Sequence, residues 1–132
     1  MRRRELREHI FKLLFMTQFN SQDEMGEQVQ LYFEGLAEGE EKDLEYIREK
    51  YNHVLEHLED IDRQLNETSH GWKTKRMNRV DLTALRLAVY EIEYDLDVPT
   101  GVAINEAVEL TKIYCSEEAP RFVNGVLAKL AK

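Results

Sequence analysis

Residues 98–112, which read Val-Pro-Thr-Gly-Val-Ala-Ile-Asn-Glu-Ala-Val-Glu-Leu-Thr-Lys, carry the pattern that decides the fold. Pro99 lacks an amide hydrogen and disfavours helical geometry at the residue before it, so any preceding helix must end upstream of it. Beyond it, Ala103, Ala107 and Leu110 recur at intervals of four and three residues. That spacing places the three side chains on one face of an α-helix. The stretch is therefore predicted to form an amphipathic helix.

The same helical spacing continues on both sides of this stretch. Upstream, residues 85–92 predict a buried helix with Asn78 as its N-cap. Downstream, residues 123–130 predict a last helix. Further helices are predicted over residues 4–19, 29–36 and 44–65. Because no alternating strand pattern bounded by hairpin turns is present, the sequence predicts an all-α fold of six or seven helices.

Length and composition set limits on the class of protein. A chain of 132 residues with 42% hydrophobic residues predicts a single domain over residues 1–132. Its uninterrupted apolar runs are far shorter than the roughly 20 residues that a membrane-spanning helix needs. Cys115 is the only cysteine, so an internal disulfide is excluded. These features predict a cytoplasmic protein that does not enter a membrane.

Charge is distributed unevenly along the chain. A net charge of -8 argues against a nucleic-acid partner, but residues 21–70 alone hold fifteen acidic and four basic residues. The cations gather in two clusters, which are Arg2, Arg3, Arg4 and Arg7 at the start and Lys73, Lys75, Arg76 and Arg79 further on. Arginine pairs with phosphate and stacks on bases, so the first cluster favours RNA or another polyanion. A basic helix start that merely aids solubility is the alternative.

The residue patterns of known catalytic and metal sites are missing. The sequence contains no glycine-rich phosphate loop, no Gly-x-Ser-x-Gly elbow and no His-Glu-x-x-His pair. His53 and His57 are four residues apart, but a stable metal site needs three or four ligands. Cys115 has acidic sequence neighbours rather than the electropositive setting of a reactive thiol. We therefore expect no catalysis, no cofactor and no metal.

Three blocks of sequence together resemble a known family. Residues 98–112 and the stretch 121–127, Arg-Phe-Val-Asn-Gly-Val-Leu, closely resemble the C-terminal signature of the NusB family. Residues 7–15 and 80–91 agree with that family in order and spacing, and the resemblance covers nearly the whole chain. It implies an all-α fold of about seven helices in two packed three-helix subdomains. Phe15 stands where the family frequently has tyrosine.

The resemblance also implies a function. Members of the family are transcription antitermination factors that bind single-stranded boxA RNA together with NusE, a small-subunit ribosomal protein. The pair joins the RNA polymerase antitermination complex and helps the polymerase read through terminators, chiefly in ribosomal RNA operons. Such a factor works by assembly, in which two weak RNA surfaces become one stronger surface.

Individual positions follow from the same resemblance. The RNA-binding residues would be Arg3, Arg4, Arg7, Phe15, Glu118, Arg121 and Phe122. Arg76 and Asp81 would form salt bridges with NusE, although Asp81 as a helix cap is an open alternative. For Glu118 the alternative is an acidic residue favourably placed at a helix N-terminus. Asn105 and Asn124 are expected to be structural, with Gly125 allowing two helices to approach closely.

Two rival interpretations use the same residues. The first is a homodimer that buries Phe11, Phe15 and Phe19 in its own interface and serves as an RNA-binding helper in ribosomal RNA maturation. The second comes from NusB-like domains that are fused to ribosomal RNA methyltransferases as RNA-positioning modules. This chain has no α/β pattern and no glycine-rich loop for S-adenosylmethionine, so any methyl transfer would have to come from another chain.

Overall fold

The structure, a computed structural model, describes residues 1–36, 39–69, 73–114 and 118–131. Within these residues all regular secondary structure is helical, which confirms the all-α prediction. The helices are α1 (Arg3–Met16), α2 (Gln22–Glu34), α3 (Glu41–Glu56), α4 (Leu58–Thr68), a 3-10 helix (Thr74–Arg76), α5 (Arg79–Tyr94), α6 (Thr100–Tyr114) and α7 (Ala119–Leu130). None of them, among the residues described, is long and apolar enough to cross a membrane.

The chain divides into two compact units, Met1–His53 and Val54–Lys132. The first unit contains α1, α2 and most of α3, and the second contains α4 to α7 with the 3-10 helix. Two units agree in number with the two subdomains that the family resemblance implies. Each unit carries its own part of the candidate site.

In the first unit, α1 ends three residues earlier than its apolar pattern predicts. Ile10, Leu13 and Leu14 are buried, as the pattern requires. After Met16, however, the amides of Gln18 and Phe19 donate to carbonyls only three residues back, at 3.1 Å each. These shorter hydrogen bonds tighten the chain into turns, a common way for a helix to end.

The next helix, α2, begins earlier than residue 29, where the sequence analysis places its start. Ser21 and Glu24 form a capping box, in which the Ser21 amide donates to Glu24 Oε1 at 2.8 Å. In return, the Glu24 amide donates to the Ser21 hydroxyl at 3.2 Å. Because this pair satisfies amides that have no partner within the helix, α2 starts at Gln22 despite its few apolar residues.

The long helix predicted over residues 44–65 is instead two helices that meet at His57. His57 has φ -104° and ψ 9°, outside helical geometry, and its ring stacks on Tyr94 with centroids 3.9 Å apart. The Tyr94 hydroxyl in turn donates to Asp60 in the first turn of α4. Apolar residues keep their helical spacing across the break, so the pattern alone could not reveal it.

The core of the second unit forms around α5. This helix packs against α4, α6 and α7, and α6 also packs against α7. Leu85, Val89 and Leu127, on α5 and α7, are fully buried. Arg86 donates two hydrogen bonds to Asp62, at 2.9 and 2.8 Å, and so ties α5 to α4. The predicted N-cap is also present, since the Asn78 side chain accepts from the Val80 amide at 2.8 Å.

One structural expectation is wrong. Asn105 and Asn124 are exposed rather than buried at a tight contact between helices. Gly125 is exposed as well, and a Cβ atom built on it would meet nothing within 4 Å. Among the described residues, therefore, none packs closely against α7 at this glycine.

Candidate nucleic-acid interface

The first group of candidate residues lies on α1. Arg3 and Arg4 occupy its first turn and are exposed, and Arg2 just before it is exposed as well. Cations at a helix N-terminus oppose the helix dipole and do not stabilise the helix. The partial positive charge of the helix end adds to that of the arginines, which makes this part of the first unit attractive to anions.

An ion pair holds the chain just before these arginines. The Met1 amino group lies 2.8 Å from Asp43 Oδ2, on the first turn of α3, and the same carboxylate accepts from the Glu40 amide at 3.3 Å. Hydrogen bonding to Asp43 raises the pKa of the amino group, and the same bond lowers the pKa of the Asp43 carboxyl. The contact fixes the start of α1 against α3, within the first unit.

Arg7 differs from the arginines before it. Its exposed fraction is 8%, so it counts among the buried residues. A buried guanidinium is unable to turn freely towards a phosphate in solution. Replacing the arginine by alanine would remove packing contacts of its side chain as well as its charge. An alanine at this position is therefore expected to affect stability, in contrast to alanines at Arg3 and Arg4.

Phe15 lies in the middle of a row of three aromatic rings. Its ring stacks on Phe11, with centroids 6.4 Å apart, and lies 5.0 Å from the ring of Phe19. Phe11 is buried and Phe15 is half-buried, whereas Phe19 is 57% exposed. The row therefore runs from the core to the surface. For the homodimer alternative this means that Phe11 is already covered within the chain.

Phe19 is not among the residues to which the family resemblance assigns RNA binding, although its exposed ring touches Phe15. Its signal was visible in the sequence, since it follows Phe15 by four residues. The sequence could not show that its ring would be exposed beyond the end of α1 while still touching Phe15.

The second group of candidate residues begins α7 in the second unit. Glu118 is the N-cap residue, and its carbonyl accepts from the Phe122 amide at 3.2 Å. Glu118 and Arg121 are exposed, and Phe122 is half-buried. Spacings of three and four residues place the three side chains on neighbouring positions of one helix face. The structure thus brings a carboxylate, a guanidinium and an aromatic ring together at this helix start.

The candidate partner-binding residues belong to the segment before α5. Arg76 ends the 3-10 helix and is exposed. Asp81 lies in the first turn of α5 with only 8% of its surface exposed. The Asn78 side chain caps this helix and accepts from the Asp81 amide at 3.5 Å. An exposed arginine is well placed for a partner, whereas a buried aspartate can reach one only over a small part of its surface.

Among the residues described there is no group of three or more His, Cys, Asp or Glu side chains that could hold a metal ion. The His57 ring stacks on Tyr94, with centroids 3.9 Å apart, and its centroid lies 6.0 Å from that of Tyr90. Cys115 lies outside the described residues.

Comparison with known protein families gives a match along almost the full chain. A model of the NusB family matches residues 4–132. The transcription antitermination protein NusB of Agathobacter rectalis is 47% identical over 131 residues, which cover 99% of this chain and 100% of that protein. The protein of the same name from Clostridium novyi is 40% identical and covers 100% of this chain and 99% of its own length.

Solved structures give the same result. NusB from T. maritima is similar with a TM-score of 0.88 at 34% identity, covering 99% of this chain and 91% of that one. A crystal structure of the antitermination factors NusB and NusE in complex with dsRNA contains a similar chain. Its TM-score is 0.83 at 27% identity, and the match covers 96% of this chain and 92% of that one.

Proposed function

This chain belongs to the NusB family, and we propose that it is a transcription antitermination factor that binds boxA-type RNA together with NusE. In this role it helps RNA polymerase read through terminators, chiefly in ribosomal RNA operons, and acts in the cytoplasm on nascent transcripts. The observation that carries the proposal is similarity over the full length to proteins named for antitermination. The related complex of NusB with NusE and dsRNA supports the choice of partners.

The proposed role is binding without a catalytic step. Two units, each with its own group of candidate residues, would act as one RNA-binding domain over residues 1–132. Each group alone offers few contacts, and joint capture with NusE would raise the effective concentration of each surface at the RNA. An acidic protein with a net charge of -8 gains from this arrangement, because its overall charge repels RNA.

The chemistry of the side chains assigns a part to each RNA-binding residue. Exposed Arg3, Arg4 and Arg121 would pair with phosphates. Phe15 and Phe122, both half-buried, would stack on unpaired bases, as recognition of single-stranded RNA generally requires. Glu118 would accept hydrogen bonds from base or sugar edges and add selectivity.

Arg7 would act in a different way from these residues. Because it is buried, it would support the helix face that carries Phe15 rather than bind RNA from the open surface. For NusE, exposed Arg76 would provide the salt bridge, with buried Asp81 contributing at the edge of the contact.

The proposal is tested by titrating a labelled boxA-like RNA with the protein and following fluorescence anisotropy, with and without NusE. We expect NusE to tighten binding by about tenfold or more, and both affinities to fall as salt rises, because phosphate contacts release counterions. A scrambled RNA of the same length is the control.

An affinity that does not change with NusE would overturn the proposal. Sedimentation of the free protein and of its mixture with NusE separates the homodimer alternative. That alternative predicts a dimer that persists when NusE is present in excess.

A further inference from the structure

Gly125 is a costly residue that the fold does not use. It lies inside α7, where glycine is less favourable than alanine because it restricts the unfolded chain less. A glycine in a helix is usually explained by a positive φ or by a close neighbour. The only glycine with positive φ among the described residues is Gly39, and a Cβ on Gly125 would meet nothing within 4 Å. Neither explanation applies to Gly125, nor to Gly26 and Gly101, so what distinguishes Gly125 is its surroundings on α7.

The surroundings of Gly125 indicate what approaches it. Arg121 and Lys129 lie four residues before and four residues after it, so the three positions form one row along α7. Both cations are exposed. They are separated by about 12 Å along the helix axis, with the bare backbone of Gly125 between them. Two cations on either side of a gap are complementary to an anionic strand.

We propose that the sugar–phosphate backbone of the bound RNA crosses α7 at Gly125, between Arg121 and Lys129. This inference rests on the proposed function and adds two residues to it. Glu118 and Phe122 border the same row, so a strand in this position would present its bases to them. Any side chain at position 125 would hold the strand away from both cations.

Substitution of this glycine gives a signature that a merely structural residue would not give. Gly125→Ala is expected to raise the melting temperature by about 2 °C, because alanine favours the helix and the Cβ has open space. The same variant should bind boxA-like RNA about fivefold more weakly in the presence of NusE, since even one methyl group forces a close contact to shift. Gly125→Gln should weaken binding further.

Gly26 supplies the matched control. It lies inside α2, is exposed, and would likewise offer open space to a Cβ atom. Gly26→Ala should raise the melting temperature by a similar amount and leave RNA affinity unchanged. Lys129→Ala should lower the slope of log affinity against log salt by about 0.7, the contribution of one phosphate contact with a single strand.

The outcomes separate this inference from the proposed function. If the native protein binds the RNA with NusE, and Gly125→Ala is more stable but binds equally well, the inference is wrong while the function stands. If Gly125→Ala weakens NusE binding measured without RNA, the glycine serves a protein contact and the inference is also wrong. Failure of the native protein to bind the RNA at all would refute the function itself.

Discussion

The two basic clusters of this chain hold equal numbers of cations but differ in what surrounds them. The start of α1 has three exposed arginines and a buried one, and residues 73–79, which end at the first residue of α5, hold four exposed cations. The first cluster shares its helix with Phe15, and the exposed ring of Phe19, just beyond the end of that helix, touches Phe15. The second, residues 73–79, contains no aromatic residue, and Trp72, which precedes it in the sequence, lies outside the described residues.

The second cluster lies in the turn that leads into α5. The turn is held in place by buried Met77 and by a hydrogen bond from the Thr74 amide to Asn66 Oδ1, at 2.8 Å. Under the proposed function, the comparison predicts that density of positive charge does not by itself select an RNA surface. Rings that can stack on unpaired bases must lie beside the cations.

The strongest test of this comparison removes the same charge from each cluster. Arg3→Ala with Arg4→Ala should weaken binding of boxA-like RNA by on the order of tenfold or more. The slope of log affinity against log salt should fall by about 1.4, since each phosphate contact with a single strand contributes roughly 0.7. Lys73→Ala with Lys75→Ala, which changes net charge equally, should alter affinity by less than about twofold.

Fluorescence anisotropy over a range of salt concentrations measures both quantities. Thermal unfolding is the control, and it should be almost unchanged for both double variants because all four side chains are exposed. Equal losses of affinity in the two double variants would show that only total charge matters.

A substitution with a smaller expected effect tests whether residues 73–79 contact NusE instead of RNA. Arg76→Ala should weaken NusE binding by about 1 kcal/mol, roughly fivefold, because one charge-assisted contact is lost. Its neighbour Lys75 is exposed on the same 3-10 helix, so Lys75→Ala is the matched control. Calorimetric titration with NusE in the absence of RNA measures both. Equal affinities for the two variants would remove Arg76 from the contact.

Replacement of Asp81 is expected to give the smallest effect, and this effect is on stability rather than on binding. Asp81 lies buried in the first turn of α5, where a negative charge interacts favourably with the helix dipole. Asp81→Asn should lower the free energy of unfolding by about 0.5 kcal/mol. Chemical denaturation measures this loss. A loss of NusE affinity without any loss of stability would instead assign Asp81 to the partner contact.

Much of the fold could be predicted because apolar spacing determines which faces are buried. The spacing located α1, α5, α6 and α7 to within a few residues. It missed the early start of α2, which depends on the polar capping pair Ser21 and Glu24 rather than on apolar residues. It also missed the break at His57, since that break involves contacts with a distant helix.

The candidate site was harder to predict than the fold. The sequence motifs indicate which residues are candidates for binding, but they do not indicate which of these residues are buried by neighbouring side chains. Arg7 and Asp81 are buried although neighbouring charged residues are exposed, and burial depends on packing between elements far apart in sequence. The expected role of Gly125 was wrong for the same reason, because its environment is open.

The central claim, that α1 and α7 bind RNA jointly with NusE, is tested most directly by photo-crosslinking. A boxA-like RNA in which single uridines are replaced by 5-iodouridine is irradiated with the protein and NusE, and the crosslinked peptides are identified by mass spectrometry. The account predicts crosslinks at Phe15 or Phe19 and at Phe122, each dependent on NusE. Crosslinks confined to residues 73–79, or unchanged when NusE is omitted, would contradict it.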